Sequence, residues 1–188
     1  MGEKLLEIKD LSVEYTTDDA VVKAVNHVSL SLDKGETIGL VGETGAGKTT
    51  LALSLLQLLP KVSGRIPNGE ILFEGKDLIK TPEEEMRKVR GEKISMIFQD
   101  PMTSLNPVLT VGDQIGEALE LHKTMTAEER EKRIDEMLRL VGIVESRKKD
   151  YPHQFSGGMK QRVVIAIALA CEPALLLADE PTPALDVT

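Results

Sequence analysis

Tryptophan is absent from the 188 residues, and aromatic side chains make up only 3% of them. A platform for the unpaired bases of single-stranded nucleic acid needs several such rings, so the composition argues against one. Charge points the same way. The chain holds 23 Lys and Arg against 31 Asp and Glu, a formal net charge of −8, the wrong sign for general affinity towards a polyanion. A single cysteine, Cys171, excludes an internal disulfide and suits a reducing compartment. Long apolar runs are missing too. The longest, Val163 to Cys171, is nine residues, about half of what a membrane-spanning helix requires. The N-terminal MGEKLLEIKD lacks the apolar stretch of a signal peptide. Any tie to a membrane is therefore expected to run through a partner.

What is present reads as one α/β domain, long enough to bury roughly 70% of its unfolded surface. Leu6, Ile8, Val13 and Tyr15 fall largely at alternate positions, as do Val28, Leu30 and Leu32. Thr16-Thr17-Asp18-Asp19 punctuates the two stretches, which predicts antiparallel strands. A turn at Asp33-Lys34-Gly35 leads into Thr37-Ile38-Gly39-Leu40-Val41, an apolar run of the buried-strand kind. Leu51, Leu55, Leu58 and Leu59 have helical spacing, with Pro60 as the stop. Ile71 and Phe73 suggest a further hairpin strand. Residues 83–90 place Glu83, Glu84 and Glu85 early and Arg87, Lys88 and Arg90 late, matching a helix dipole. Ile94 to Phe98 is strand-like again.

Beyond residue 100 the character turns helical. Val111, Ile115 and Leu119 recur every four residues behind Thr110 as N-cap. Thr126 and Glu129 form a capping box in front of Ile134, Met137, Leu138 and Val141, with Gly142 as the stop. A helix over about 158–171 ends before Pro173, and Leu175 to Ala178 reads as a final buried strand.

The chemistry begins at Gly42-Glu43-Thr44-Gly45-Ala46-Gly47-Lys48-Thr49, which matches G-x-x-x-x-G-K-[ST] between an apolar run and an amphipathic helix. Glycines let backbone N–H groups converge on phosphate oxygens, and the helix N-terminus adds partial positive charge. Lys48 reaches the β- and γ-phosphates in such a loop, and the Thr49 hydroxyl serves Mg²⁺. The competing reading is a glycine-rich turn that binds no ligand. Asp179 and Glu180 follow the strand Leu175 to Ala178, so they emerge at its C-terminal end, where ligands bind in open parallel sheets. Asp179 then completes the Mg²⁺ environment, and Glu180 is placed to act on an attacking water as general base. Alone, the pair would read as surface solvation. Phe155-Ser156-Gly157-Gly158-Met159-Lys160-Gln161-Arg162 offers a second anion-binding helix start, capped by Ser156 and lacking a lysine of its own.

Taken together, these segments resemble the nucleotide-binding subunits of ABC-type ATPases, over nearly the whole chain. Five elements agree in order: the P-loop, Ile97-Phe98-Gln99-Asp100-Pro101, Tyr151-Pro152-His153-Gln154 running into FSGGMKQR, LLLADEPT, and Ala184-Leu185-Asp186. The stretch QDPMTSLNPVLTVGDQI looks like the dipeptide/oligopeptide importer branch. The resemblance implies a RecA-like P-loop NTPase core sheet over 37–60, 94–100 and 172–188. It also implies an N-terminal antiparallel β part over 1–36 and about 65–78, and a helical subdomain with the signature motif over about 101–171.

It further implies roles. Tyr15 stacks on adenine, with core packing as the alternative, and Gly42 to Thr50 hold the phosphates, Thr50 included. Gln99 touches Mg²⁺ and the attacking water. Ser156, Gly157, Gly158 and Met159 face the ATP of an opposite subunit, and Asp186 communicates across that dimer. The implied ligands are ATP and Mg²⁺. The implied partners are a second ATP-binding subunit head to tail, transmembrane permease subunits and, indirectly, an extracytoplasmic peptide-binding protein, but no nucleic acid. The implied location is peripheral, on the cytoplasmic face of the cell membrane.

Departures accompany the likeness. Met159 stands where the superfamily commonly has glutamine, although methionine is usual in the peptide-importer branch. Pro183 occupies a place where a small or hydroxylated residue is expected. The chain stops at Thr188, just after the last motif, and none of His27, His122 and His153 fits the family's switch histidine. The expectation is a truncated core sheet with a strand edge and apolar faces uncovered. Two other functions stay open: a soluble, non-transport ABC ATPase, and a fragment that binds nucleotide without turnover.

Overall fold

The computed structural model describes residues 2–99 and 104–179. It divides into two compact units, Met1–Arg87 and Lys88–Thr188. The first is built on a four-stranded antiparallel sheet of order β2-β1-β3-β4. Its strands are β1 (Lys4–Thr16), β2 (Val21–Asp33), β3 (Gly64–Phe73) and β4 (Lys76–Asp77). The alternation sets the register: Leu6 lies opposite Leu32 and Phe73, and Ile8 opposite Leu30 and Ile71, so each row buries one apolar face. Bulges interrupt it. Asp10 and His27 both take positive φ, at 51° and 52°, as residues in a bulge do. Their carboxylate and ring meet at 2.7 Å, while Asn68 donates to the same Asp10 carboxylate at 2.6 Å. Three strands are thereby pinned at one bend.

Two short helices, α1 (Lys48–Leu55) and α2 (Glu83–Val89), complete this unit and its border. Helix α1 ends earlier than the leucine spacing predicts. Gln57 adopts φ 51°, and its side-chain amide donates to the carbonyls of Leu78, Ile79 and Thr81. These tertiary hydrogen bonds end the helix ahead of Pro60 and leave Leu58 exposed. The predicted strand Thr37–Val41 is also absent. This segment has no ladder among the described residues, and Ile38, Leu40 and Val41 are 42%, 50% and 100% exposed. A strand exists only through its partner's hydrogen bonds, so an apolar run without a neighbour stays irregular. Strand β3 is longer than Ile71 and Phe73 foretell, because Pro67 and Gly69 mask its period.

In the second unit, β5 (Ile94–Ile97) pairs in parallel with β6 (Leu175–Ala178), from Ile94 opposite Leu175 to Ile97 opposite Ala178. Three helices build its core: α3 (Val111–His122), α4 (Ala127–Leu140) and α5 (Gly157–Leu169). Val111, Ile115, Leu119, Leu138, Phe155 and Val163 are buried together there. Reciprocal capping boxes fix the starts of α3 (Thr110 with Asp113) and α4 (Thr126 with Glu129). Gly142, at φ 71°, closes α4 as expected. Gly112 lets α3 approach the chain closely, since a Cβ there would stand 2.9 Å from the Lys148 carbonyl oxygen.

Candidate nucleotide site

The loop Gly42–Thr49 is shaped from within. Gly45 and Gly47 sit at φ 84° and 83°, the left-handed region that glycine alone enters freely. At Gly47 space matters as well, because a Cβ would run into the Ala24 carbonyl oxygen. The Lys48 ammonium donates to the carbonyls of Gly42 at 2.7 Å and Glu43 at 2.9 Å, which draws the loop around it. Helix α1 begins behind Gly47 with no side-chain cap and no acidic residue in its first turn. Its leading N–H groups and the ammonium therefore present one concentrated positive region. Gly42 to Ala46 are exposed, and a Cβ on Gly45 would meet no atom within 4 Å. These donors fit a phosphate chain.

Tyr15 adjoins the loop. Strand β1 carries it between Val22 of β2 and Gly64 of β3, half-buried. Its ring packs over Gly64, whose absent Cβ would stand 3.3 Å from the ring edge. Its phenol donates to the Thr50 hydroxyl, in the first turn of α1, at 3.4 Å.

The second unit gathers the other predicted residues at two places. Asp179 and Gln99 leave the same C-terminal edge of the β5–β6 pair, with the Asp179 N–H donating to the Ile97 carbonyl at 2.9 Å. Gln99 is exposed and Asp179 half-buried. Glu180 and Asp186 lie outside the described residues. Among the described residues no group of three or more His, Cys, Asp or Glu could hold a metal by itself. Mg²⁺ commonly takes only one or two protein oxygens beside those of a bound phosphate chain, and the Thr49 hydroxyl is an oxygen donor of that kind.

At the start of α5, the Ser156 hydroxyl accepts from the Met159 N–H at 3.4 Å. Gly157 has no atom within 4 Å of where a Cβ would be, and the first turn holds no acidic residue. This too is an open set of amides, held by the one Ser156 cap. The sequence reading missed Arg147, which stacks on Phe155 just ahead of it. In sequence that arginine belongs to the basic run Arg147-Lys148-Lys149, indistinguishable from a solvated face. It also missed Gln161, buried in α5, whose Oε1 has no hydrogen-bond partner among the described residues.

The histidines are accounted for elsewhere. His27 pairs with Asp10, His122 packs against Gly91, and His153 stacks on Tyr151 at 5.8 Å. A cleft of about 550 Å³ between α3 and α4 is a structural seam. Its charges are paired across it, Arg130 with Glu120, and Lys148 with Glu131 and Asp135.

A P-loop over an uncapped helix, a parallel strand pair ending in Asp179, and a glycine-led second helix define a nucleotide-binding cassette. The sequence profile of the ABC transporter family matches residues 25–183, and the chain belongs to that family. It is 56% identical over 188 residues to the dipeptide transport ATP-binding protein DppD of Bacillus subtilis, covering 99% of this chain and 56% of that protein. Likewise it is 53% identical over 189 residues to the oligopeptide transport ATP-binding protein OppD of Escherichia coli, covering 100% of this chain and 56% of that one. The chain thus spans about half the length of the curated relatives it matches. A solved dimeric ATP-binding cassette in a post-hydrolysis state, bound to ADP and Pi, superposes with a TM-score of 0.85 at 31% identity. That match covers 97% of this chain and 77% of the other. The family binds ATP, generally with Mg²⁺. Among the described residues no helix is long and apolar enough to cross a membrane.

Proposed function

We propose that the protein containing this chain binds and hydrolyses ATP to power import of di- or oligopeptides, as a peripheral subunit on the cytoplasmic face of the cell membrane. The observation that carries the ATP part is the P-loop itself, with Lys48 folded over the Gly42 and Glu43 carbonyls and an uncapped α1 behind it. The names of the Bacillus subtilis and Escherichia coli relatives support peptide transport. Lys48, Thr49 and Thr50 hold the phosphates, Tyr15 the base, and Thr49, Asp179 and Gln99 the Mg²⁺ side. Glu180 acts as general base on water. The open amides of Ser156 to Met159 face the γ-phosphate held by a second chain, head to tail. Asp186 signals across that dimer. In this reading residues 37–60, 94–100 and 172–188 form the ATP-binding core, 1–36 and about 65–78 the β part, and about 101–171 the helical part.

The test is ATP hydrolysis by the whole protein reconstituted in liposomes with its permease subunits and peptide-binding protein. Turnover should rise on adding di- or oligopeptides. Stimulation by nucleic acid instead, with no response to peptide, would replace this reading with a non-transport ABC ATPase.

A further inference from the structure

The start of α5 is poorly held by its own residues. The Ser156 cap is long at 3.4 Å, and Gly157 offers no side chain, with open space where a Cβ would stand. Glycine backbones are the freest in the chain, so amides that must face a phosphate in one geometry need a brace from outside the motif.

Arg147 supplies one. It lies in a short 3₁₀ turn, Glu145–Lys149, after α4. Its guanidinium carbon sits 4.2 Å from the centroid of the Phe155 ring, the residue before Ser156. Nη2 donates to the Gln154 carbonyl at 3.0 Å, and Nη1 approaches the Met159 sulfur at 3.5 Å. Nε donates to the Asp150 carboxylate at 2.8 Å, and the Asp150 carbonyl in turn accepts from the Val111 N–H at 2.9 Å. One planar group thus ties residues on both sides of Ser156 to the start of α3. With Asp150 beside it, the arginine's charge is already matched, which separates it from a phosphate ligand.

We propose that Arg147 is a positioning residue for hydrolysis: it acts through Phe155, Gln154 and Met159 to aim the Ser156–Gly158 amides at the opposing nucleotide. This rests on the head-to-tail reading above. Lysine is no substitute, because it keeps the charge but loses both the flat stack and the forked donors.

The experiment uses the full-length protein with Arg147→Lys, Arg147→Met and, as reference, Ser156→Arg. Three quantities are read: ATP affinity of the separated chain, ATP-driven dimer formation by sedimentation, and kcat. ATP affinity should stay within about twofold of the parent, because the P-loop is untouched, while kcat and dimer formation fall about tenfold to a hundredfold in both Arg147 variants. Wild-type kcat in Arg147→Lys overturns the proposal. So does a loss of kcat that merely follows a loss of ATP affinity or of melting temperature, the mark of general destabilisation. Where Arg147→Met lowers the melting temperature, the milder Arg147→Lys decides. If Ser156→Arg itself leaves kcat and dimer formation unchanged, the head-to-tail reading fails first; if Ser156→Arg abolishes both and the Arg147 variants do not, only the positioning role falls.

Discussion

The phenol of Tyr15 donates a hydrogen bond to the hydroxyl of Thr50 at 3.4 Å, joining the end of the inner strand β1 to the first turn of α1. In the proposed site Tyr15 takes the nucleobase and Thr50 lies at the phosphate end. Tyr15→Phe keeps the ring and removes only this link, a long and therefore weak bond. ATP affinity is expected to fall no more than about fivefold, near 1 kcal/mol or less. Tyr15→Ala removes the stacking surface as well and should cost about tenfold or more. Titration calorimetry with ATP and with inorganic tripolyphosphate separates the two contributions. A loss in Tyr15→Phe that appears with tripolyphosphate too belongs to the link with Thr50. A loss seen with ATP alone belongs to the base.

Gly45 and Gly47 share a left-handed backbone but differ in what surrounds them. An alanine at Gly45 meets open space, so it should cost only the conformational penalty, about 1–2 kcal/mol. At Gly47 the Ala24 carbonyl oxygen occupies the place of the new methyl, and the loop or β2 must move. Gly47→Ala is expected to exceed Gly45→Ala by at least about 1 kcal/mol in urea unfolding. Equal costs would show that the loop relaxes freely around residue 47.

The contrast between those glycines marks where sequence reading stops. Spacing placed the P-loop, both threonine N-caps, Gly142 and the strands around Leu6 and Leu175, because each is a local signal. Helix α1 ends at Leu55 because Gln57 finds three carbonyls some twenty residues away, and no local pattern carries that. The apolar run Thr37–Val41 has the composition of a strand, but a ladder also needs a neighbour, which composition does not reveal. Arg147 shows the same limit at the site. The motif FSGGMKQR was legible, whereas the side chain bracing it comes from a basic run with no distinguishing period.

Lys48 and Ser156 should fail in different ways. Lys48→Ala removes the ammonium that gathers the loop and, in the proposed site, meets the phosphates, so ATP affinity in the separated chain should drop by about two orders of magnitude. Ser156→Arg puts a long cation at the start of α5 and leaves the residues of the P-loop unchanged. Binding in the separated chain should then persist, with hydrolysis lost in the assembled protein. Fluorescent-nucleotide titration and phosphate release give the two readings. Unchanged affinity in Lys48→Ala contradicts the P-loop assignment, and normal hydrolysis in Ser156→Arg contradicts the two-chain site.

Acid sensitivity is expected at the start of α4. The Thr126 N–H donates to the Glu129 carboxylate at 2.7 Å and the Thr126 hydroxyl at 2.9 Å, holding that carboxyl below its usual range. A carboxyl whose folded pKa lies below its unfolded value stabilises the fold above the unfolded pKa. That contribution fades as pH falls through the folded value. Glu129→Gln should therefore destabilise the protein at pH 7, and the gap from the parent should narrow once pH drops below about 4. Thr126→Ala, which loses the cap itself, should cost about 1 kcal/mol at neutral pH. In Thr126→Ala the carboxylate has lost its hydroxyl donor, so the further effect of Glu129→Gln should shrink. Urea unfolding of the four proteins across pH 3–7 checks both statements. A Glu129→Gln deficit that stays constant from pH 7 to pH 3 would mean that the carboxylate's charge takes no part in the cap.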